Sequence, residues 1–120
     1  MSMSDEQTAD LMKRFNQAFL EHDPSILDDL IAEDCVLENS GPAPDGSRHV
    51  GRAECLAWWT AIAANKETQF EPEEIWASGE RAVLRWRLRW GPTDADSVRG
   101  VNLMRARDGK IIEGMGYVKG

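Results

Sequence analysis

The chain has 120 residues, 42% of them apolar and 29% charged, the length of one domain and the composition of an ordinary globular protein. Acidic residues number 21 against 14 basic ones, a formal net charge of −7. A surface of that sign repels phosphate backbones, so no nucleic-acid partner is expected. No apolar run reaches the ~18 residues that a membrane span needs, and the acidic start MSMSDEQTAD is unlike a signal peptide, so no membrane partner is expected either.

Residues 4–22 have the pattern of an amphipathic helix. Ser4 and Gln7 have capping-box spacing, and Leu11, Met12, Phe15, Ala18, Phe19 and His22 recur at the helical period. His22, at the end of this helix, reads as structural. Asp23 caps a second short helix with Pro24 at its first position and Leu27, Leu30 and Ile31 on its apolar face. A strand is predicted over 34–40, a loop over GPAPDGS at 41–47, and a third helix over about 52–65 with Leu56, Trp59, Ile62 and Ala63 on one face. Two strands, 68–77 and 81–90, flank Ser78-Gly79-Glu80. In the second, Leu84, Trp86, Leu88 and Trp90 share one face and Arg85, Arg87 and Arg89 the other. Pairing about Gly79 sets Glu73 opposite Arg85 and Glu71 opposite Arg87. Strands 96–107 and 110–118 meet at Asp108-Gly109, a hairpin signal. The order predicts one α+β domain over 1–120, a curved, mostly antiparallel sheet wrapped around three helices of the N-terminal half.

Cys35 and Cys55 are too few and too far apart in sequence for a zinc site or a disulfide framework. They read as reduced, half-buried thiols of a cytoplasmic protein. No His, Cys and carboxylate cluster has metal-ligand spacing, so neither a metal nor a cofactor is expected.

Three stretches carry a family resemblance: FNQAFLEHDPSILDDLIAEDCVLEN, HVGRAECLAWWTAI and RGVNLMRARDGKIIEGMGYVKG. In this order they resemble the SnoaL-like branch of the nuclear transport factor 2-like superfamily, over nearly the whole chain. The resemblance implies a cone open at one end to a small apolar ligand, and commonly a homodimer. The superfamily includes ketosteroid isomerases, polyketide cyclases, epoxide hydrolases and proteins without known activity, so fold does not decide function. The isomerase relatives use an aspartate base with a tyrosine and a protonated aspartic acid as donors. Those positions fall on Asn39, Phe15 and Asn102, so the resemblance implies that this mechanism is absent. The epoxide hydrolase tryptophan and aspartate positions fall on Gly114 and Gly116.

Leu37 and Asn39 share a strand face, as do Asn102 and Met104, so both asparagines are expected to point into the cone and grip a ligand oxygen or a water. His49, near the mouth, is the candidate acid–base group. Asp45 lies on a loop that reaches the mouth, whereas Glu38 and Glu113 face outward. Phe15, Phe19, Leu37, Trp59, Trp86, Trp90 and Met104 are expected to line the pocket, with Gly114 and Gly116 leaving space beside the rings. Two functional readings are open. One is an enzyme acting on a small apolar, oxygen-bearing molecule through Asn39, Asn102 and His49; the other is a non-catalytic ligand-binding or dimeric interaction module. A homodimer is expected through the outer sheet face, which carries Arg85, Arg87, Arg89, Val101, Leu103, Arg105, Met115 and Tyr117.

Overall fold

Helix α1 (Asp5–Leu20) begins as its sequence dictates. The Ser4 hydroxyl accepts from the Gln7 N–H at 3.1 Å, and the Gln7 side chain accepts from the Ser4 N–H at 2.9 Å. The computed structural model describes residues 2–119. In it α1 buries Thr8, Leu11, Met12, Phe15, Asn16 and Phe19 against the sheet. Its start is tied to the β3–β4 turn, where Asp5 accepts from the Gly79 N–H at 2.6 Å and the Thr8 hydroxyl donates to the Gly79 carbonyl. Its end is fixed by His22, whose Nδ1 lies 3.0 Å from the Ala63 carbonyl oxygen. That contact gives His22 the structural place expected of it.

Asp23 does cap the next segment, but Pro24–Asp29 is a 3-10 helix rather than an α-helix. The Leu30 N–H closes onto the Leu27 carbonyl, an i to i−3 bond of that tighter turn. Ile31 then leaves the helix and opens β1 (Ile31–Glu38), paired with Ile111. The first strand therefore starts and ends earlier than predicted. A three-residue strand, β2 (Arg48–Val50), is an element that the sequence pattern does not predict; it pairs antiparallel with β1 at Leu37 and His49. Helix α2 (Arg52–Ala64) buries Cys55, Trp59 and Ala63 at successive four-residue spacings, with Leu56 and Ile62 half-buried beside them.

Strands β3 (Gln69–Ser78), β4 (Arg81–Arg89), β5 (Ser97–Arg107) and β6 (Lys110–Val118) complete one six-stranded sheet in the order β2-β1-β6-β5-β4-β3. Among the described strands only β1 and β6 pair in parallel. Glu71 faces Arg87 as predicted, but a bulge between Pro72 and Glu74 sets Glu74, not Glu73, opposite Arg85. Proline has no ladder donor, so the register slips there. Glu73, displaced by the bulge, reaches across β4 to accept from Arg99 at 2.7 Å.

Met12, Leu27, Leu30, Ile31, Leu37, Leu84 and Ile111 form the fully buried centre between the helices and the inner sheet face. Cys35 and Cys55 are fully buried in it rather than half-buried, and both are free. The Cys55 thiol donates to the Cys35 carbonyl at 3.4 Å. Burial, reinforced by Cys55, pushes the Cys35 thiol far above its ordinary range, which keeps it protonated and unreactive. Among the described residues no helix is long and apolar enough to cross a membrane.

Candidate functional site: an aromatic cavity in the cone

The open end of the cone holds a cavity of about 260 Å³. Helix α1 supplies Phe15, Asn16 and Phe19, and helix α2 supplies Trp58, Trp59 and Ile62. The sheet contributes Leu37, Phe70, Leu84, Trp86 and Leu88, while Gly114, Gly116 and Val118 form a strip along β6. Asn39, Ser40 and Gly41 edge the mouth. The rings form a connected wall. Phe15 and Trp59 meet edge-on with centroids 5.0 Å apart, Phe15 and Phe19 lie 5.0 Å apart, and Phe19 and Phe70 lie 5.5 Å apart. Gly114 makes room for this wall, because a Cβ there would stand 2.8 Å from the Trp59 ring.

The structure places Phe15, Phe19 and Trp59 in the wall from the helices and Leu37 and Trp86 from the strands. Trp90 is not there. Strand β4 ends at Arg89, and the Trp90 N–H turns to bond the Asp96 carbonyl at 2.9 Å. The strand's alternation no longer governs its side chain, which is 53% exposed. Met104 does face inward but lies one layer behind the cavity, in the core. Its sulfur is 3.3 Å from where a Gly114 Cβ would be.

Asn39 and Asn102 both line the cavity, but they do not bond each other. Asn39 Nδ2 donates to the Ser47 hydroxyl, and its Oδ1 accepts from the Gly41 N–H at 3.1 Å. It thereby clips the GPAPDGS loop to the mouth. Gly46 completes that clip at φ +74°, where a Cβ would overlap the Asn39 carbonyl. Asn102 Oδ1 accepts from the Trp86 indole N–H at 3.1 Å, which leaves its Nδ2 hydrogens as the donor it can offer a ligand.

His49 is outside the lining. Its Nε2 lies 3.1 Å from the Ser47 hydroxyl, and its ring lies 4.9 Å from that of Trp58, which does line the cavity. Asp45 is exposed on the loop and also outside the lining. Glu38 is also among the lining residues, and its carboxylate is paired with Arg48 at 2.6 Å. No described group of three or more His, Cys, Asp and Glu side chains is arranged to hold a metal.

Sequence reasoning missed Asn16. It is 4% exposed, lines the cavity, and its Oδ1 has no hydrogen-bond partner among the described residues. The signal was present: Met12, Phe15, Asn16 and Phe19 occupy i, i+3, i+4 and i+7, so a polar residue stands in the apolar stripe.

The carboxylates with lowered pKa all lie away from this cavity. Hydrogen-bonded arginines hold Asp34, Glu73 and Asp94 below the usual range: Arg107, Arg99 and Arg89 respectively.

The chain's similarities agree with this geometry. An NTF2-like protein of unknown function from Mesorhizobium loti is 56% identical, with a TM-score of 0.89 over 97% of this chain and 93% of that one. A putative polyketide cyclase from Sinorhizobium meliloti is 25% identical, with a TM-score of 0.72 over 90% of this chain and 94% of that one. An LEH-like epoxide hydrolase from M. tuberculosis shares the fold at 21% identity and a TM-score of 0.73, over 96% of this chain and 80% of that one. No curated protein matches the chain. The SnoaL-like domain model matches residues 12–114, from the middle of α1 to Gly114 in β6, and the chain belongs to the SnoaL-like domain family.

Proposed function

We propose that this protein binds a small, neutral, oxygen-bearing apolar molecule in the cone and has no acid–base machinery of its own there. The observation that carries this reading is the wall itself. It is built from rings, aliphatic side chains, glycines, side-chain amides and the Ser40 hydroxyl, which is bonded to the β6 backbone, and its carboxylate, Glu38, is held by Arg48. A charged ligand would be stripped of water without a compensating partner, which is costly. A neutral one leaves water at the gain of buried apolar area, with polar groups fixing its orientation.

The rival reading is an enzyme with His49 as its acid–base group. It draws on the contacts that run from His49 through Ser47 to Asn39. An amide cannot take up a proton near neutral pH, so that route does not deliver one to the cavity. The test pairs binding with turnover. 1-Tetralone, a neutral bicyclic ketone, is expected to quench tryptophan fluorescence saturably, since Trp58, Trp59 and Trp86 line the cavity. A β,γ-unsaturated ketosteroid is expected to go unconverted. Turnover that disappears in His49→Ala would replace the binding reading with the enzymatic one.

The same proposal includes a homodimer. Trp76, Val83, Leu103 and Met115 stand side by side across four strands on the outer face, with Trp76 67% and Leu103 44% exposed. Such a row suits a two-fold interface. The arginines flanking it are largely answered within one chain: Arg85 by Glu73 and Glu74, Arg89 by Glu71 and Asp94, Arg99 by Glu73. The support for the dimer is therefore the apolar row rather than the basic ladder.

A further inference from the structure

Among the described residues, Asn16 Oδ1 is the fully buried side-chain polar atom of the cavity that the fold leaves without a partner. Its Oδ1 is buried and has no donor among the described residues, whereas the Asn39 amide is engaged by the mouth loop and the Asn102 carbonyl by Trp86. Buried acceptors are almost always satisfied, so an orphan in a binding cavity marks a missing partner. A lone water is a poor candidate for it, because a buried water needs two to four polar partners and this wall is mostly hydrocarbon. The terminal torsion of an asparagine is soft, so the carbonyl can turn to meet a ligand.

From these groups we infer that the cavity selects a hydroxylated carbonyl compound. One ligand hydroxyl donates to Asn16 Oδ1 on α1, and a ligand carbonyl oxygen accepts from Asn102 Nδ2 on β5. This inference rests on the binding reading above and adds its polarity: a donor at the helix side and an acceptor at the sheet side of one neutral molecule. At about 260 Å³ the cavity is just below the ~300–1,000 Å³ of sites for drug-sized ligands. A flat body of one or two rings fits it, slotted among Phe15, Trp59, Phe70 and Trp86.

The test uses three probes of one size, followed by tryptophan quenching. 6-Hydroxy-1-tetralone has both groups, 1-tetralone only the ketone, and 5,6,7,8-tetrahydro-2-naphthol only the hydroxyl. The wild-type protein is expected to bind the first roughly tenfold more tightly than either of the others, one hydrogen bond being lost in each case. In Asn16→Leu the hydroxyl advantage disappears while the ketone advantage stays; in Asn102→Leu the reverse holds. If Asn16→Leu does not fold, Asn16→Ala replaces it, and the wild-type ratios decide on their own. Equal binding of 6-hydroxy-1-tetralone and 1-tetralone by the wild type would overturn the inference yet leave the binding reading standing. So would a hydroxyl advantage that persists without Asn16. Failure of all three probes to bind would overturn both.

Discussion

Asn16 occupies a place on α1 where an apolar side chain would serve the fold better. An unsatisfied buried polar group costs about 1–3 kcal/mol, and a leucine of similar size in the same stripe removes that cost. Asn16→Leu is therefore expected to raise the thermal midpoint of the ligand-free protein by a few degrees. Such a gain is what residues retained for binding rather than for stability show on replacement. A fall in the midpoint, measured by circular dichroism, would mean that Asn16 holds the fold together. Residues whose facing follows from periodicity are legible in the sequence: Phe15 and Trp59 by the helical repeat, and Leu37 and Trp86 by strand alternation, all line the cavity. Trp90 is not, because a strand's end is set by the turn after it. Asn16 escapes such a reading because its mark is the absence of a partner in space, which no spacing records.

At the level of elements, capping chemistry and turn residues set the order of the fold in advance. The Ser4 box opens α1, and Asp108-Gly109 closes the last hairpin with Asp108 at φ 52° and Gly109 at φ 79°. The bulge at Pro72 and the short strand β2 are not legible. One depends on how a missing donor is absorbed by a neighbour, the other on three residues borrowing hydrogen bonds from β1. The bulge also rearranges the ion pairs of the outer face, giving Glu73 to Arg99. Arg99 holds the Glu73 carboxyl below its ordinary 4.5, and Arg107 and Arg89 hold Asp34 and Asp94 below 3.8. A carboxylate with a depressed folded pKa stabilises the protein above its unfolded pKa. That contribution is lost as pH falls through the folded value. The protein is thus expected to keep its stability from pH 7 to about 5 and to lose it steadily below about 4. Glu73→Gln, followed by urea unfolding at pH 7 and pH 3, should shrink the difference between the two. An unchanged difference would show that the Arg99 pair does not contribute.

For the whole molecule, the two faces of one sheet divide the work. The inner face, with its glycine strip on β6, opens a cavity; the outer face presents an apolar row bordered by ion pairs that are closed within the chain. Sedimentation at tens of micromolar is expected to give a dimer for the wild type and a monomer for Leu103→Glu, which puts a charge in the middle of that row. A wild-type monomer would remove the dimer from the account. The family resemblance makes the cone legible from sequence, but not its contents. Asn39, aligned with a catalytic base, holds the mouth loop, and His49 stands one layer outside the lining. The claim that the cone takes up a neutral molecule is tested most directly by isothermal titration of the wild-type protein with 1-tetralone and with tetralin-1-carboxylate, its charged counterpart. The expected result is saturable binding of the ketone with a negative heat-capacity change, the mark of apolar burial, and no measurable binding of the carboxylate. Binding of the carboxylate at equal or greater strength would contradict the account.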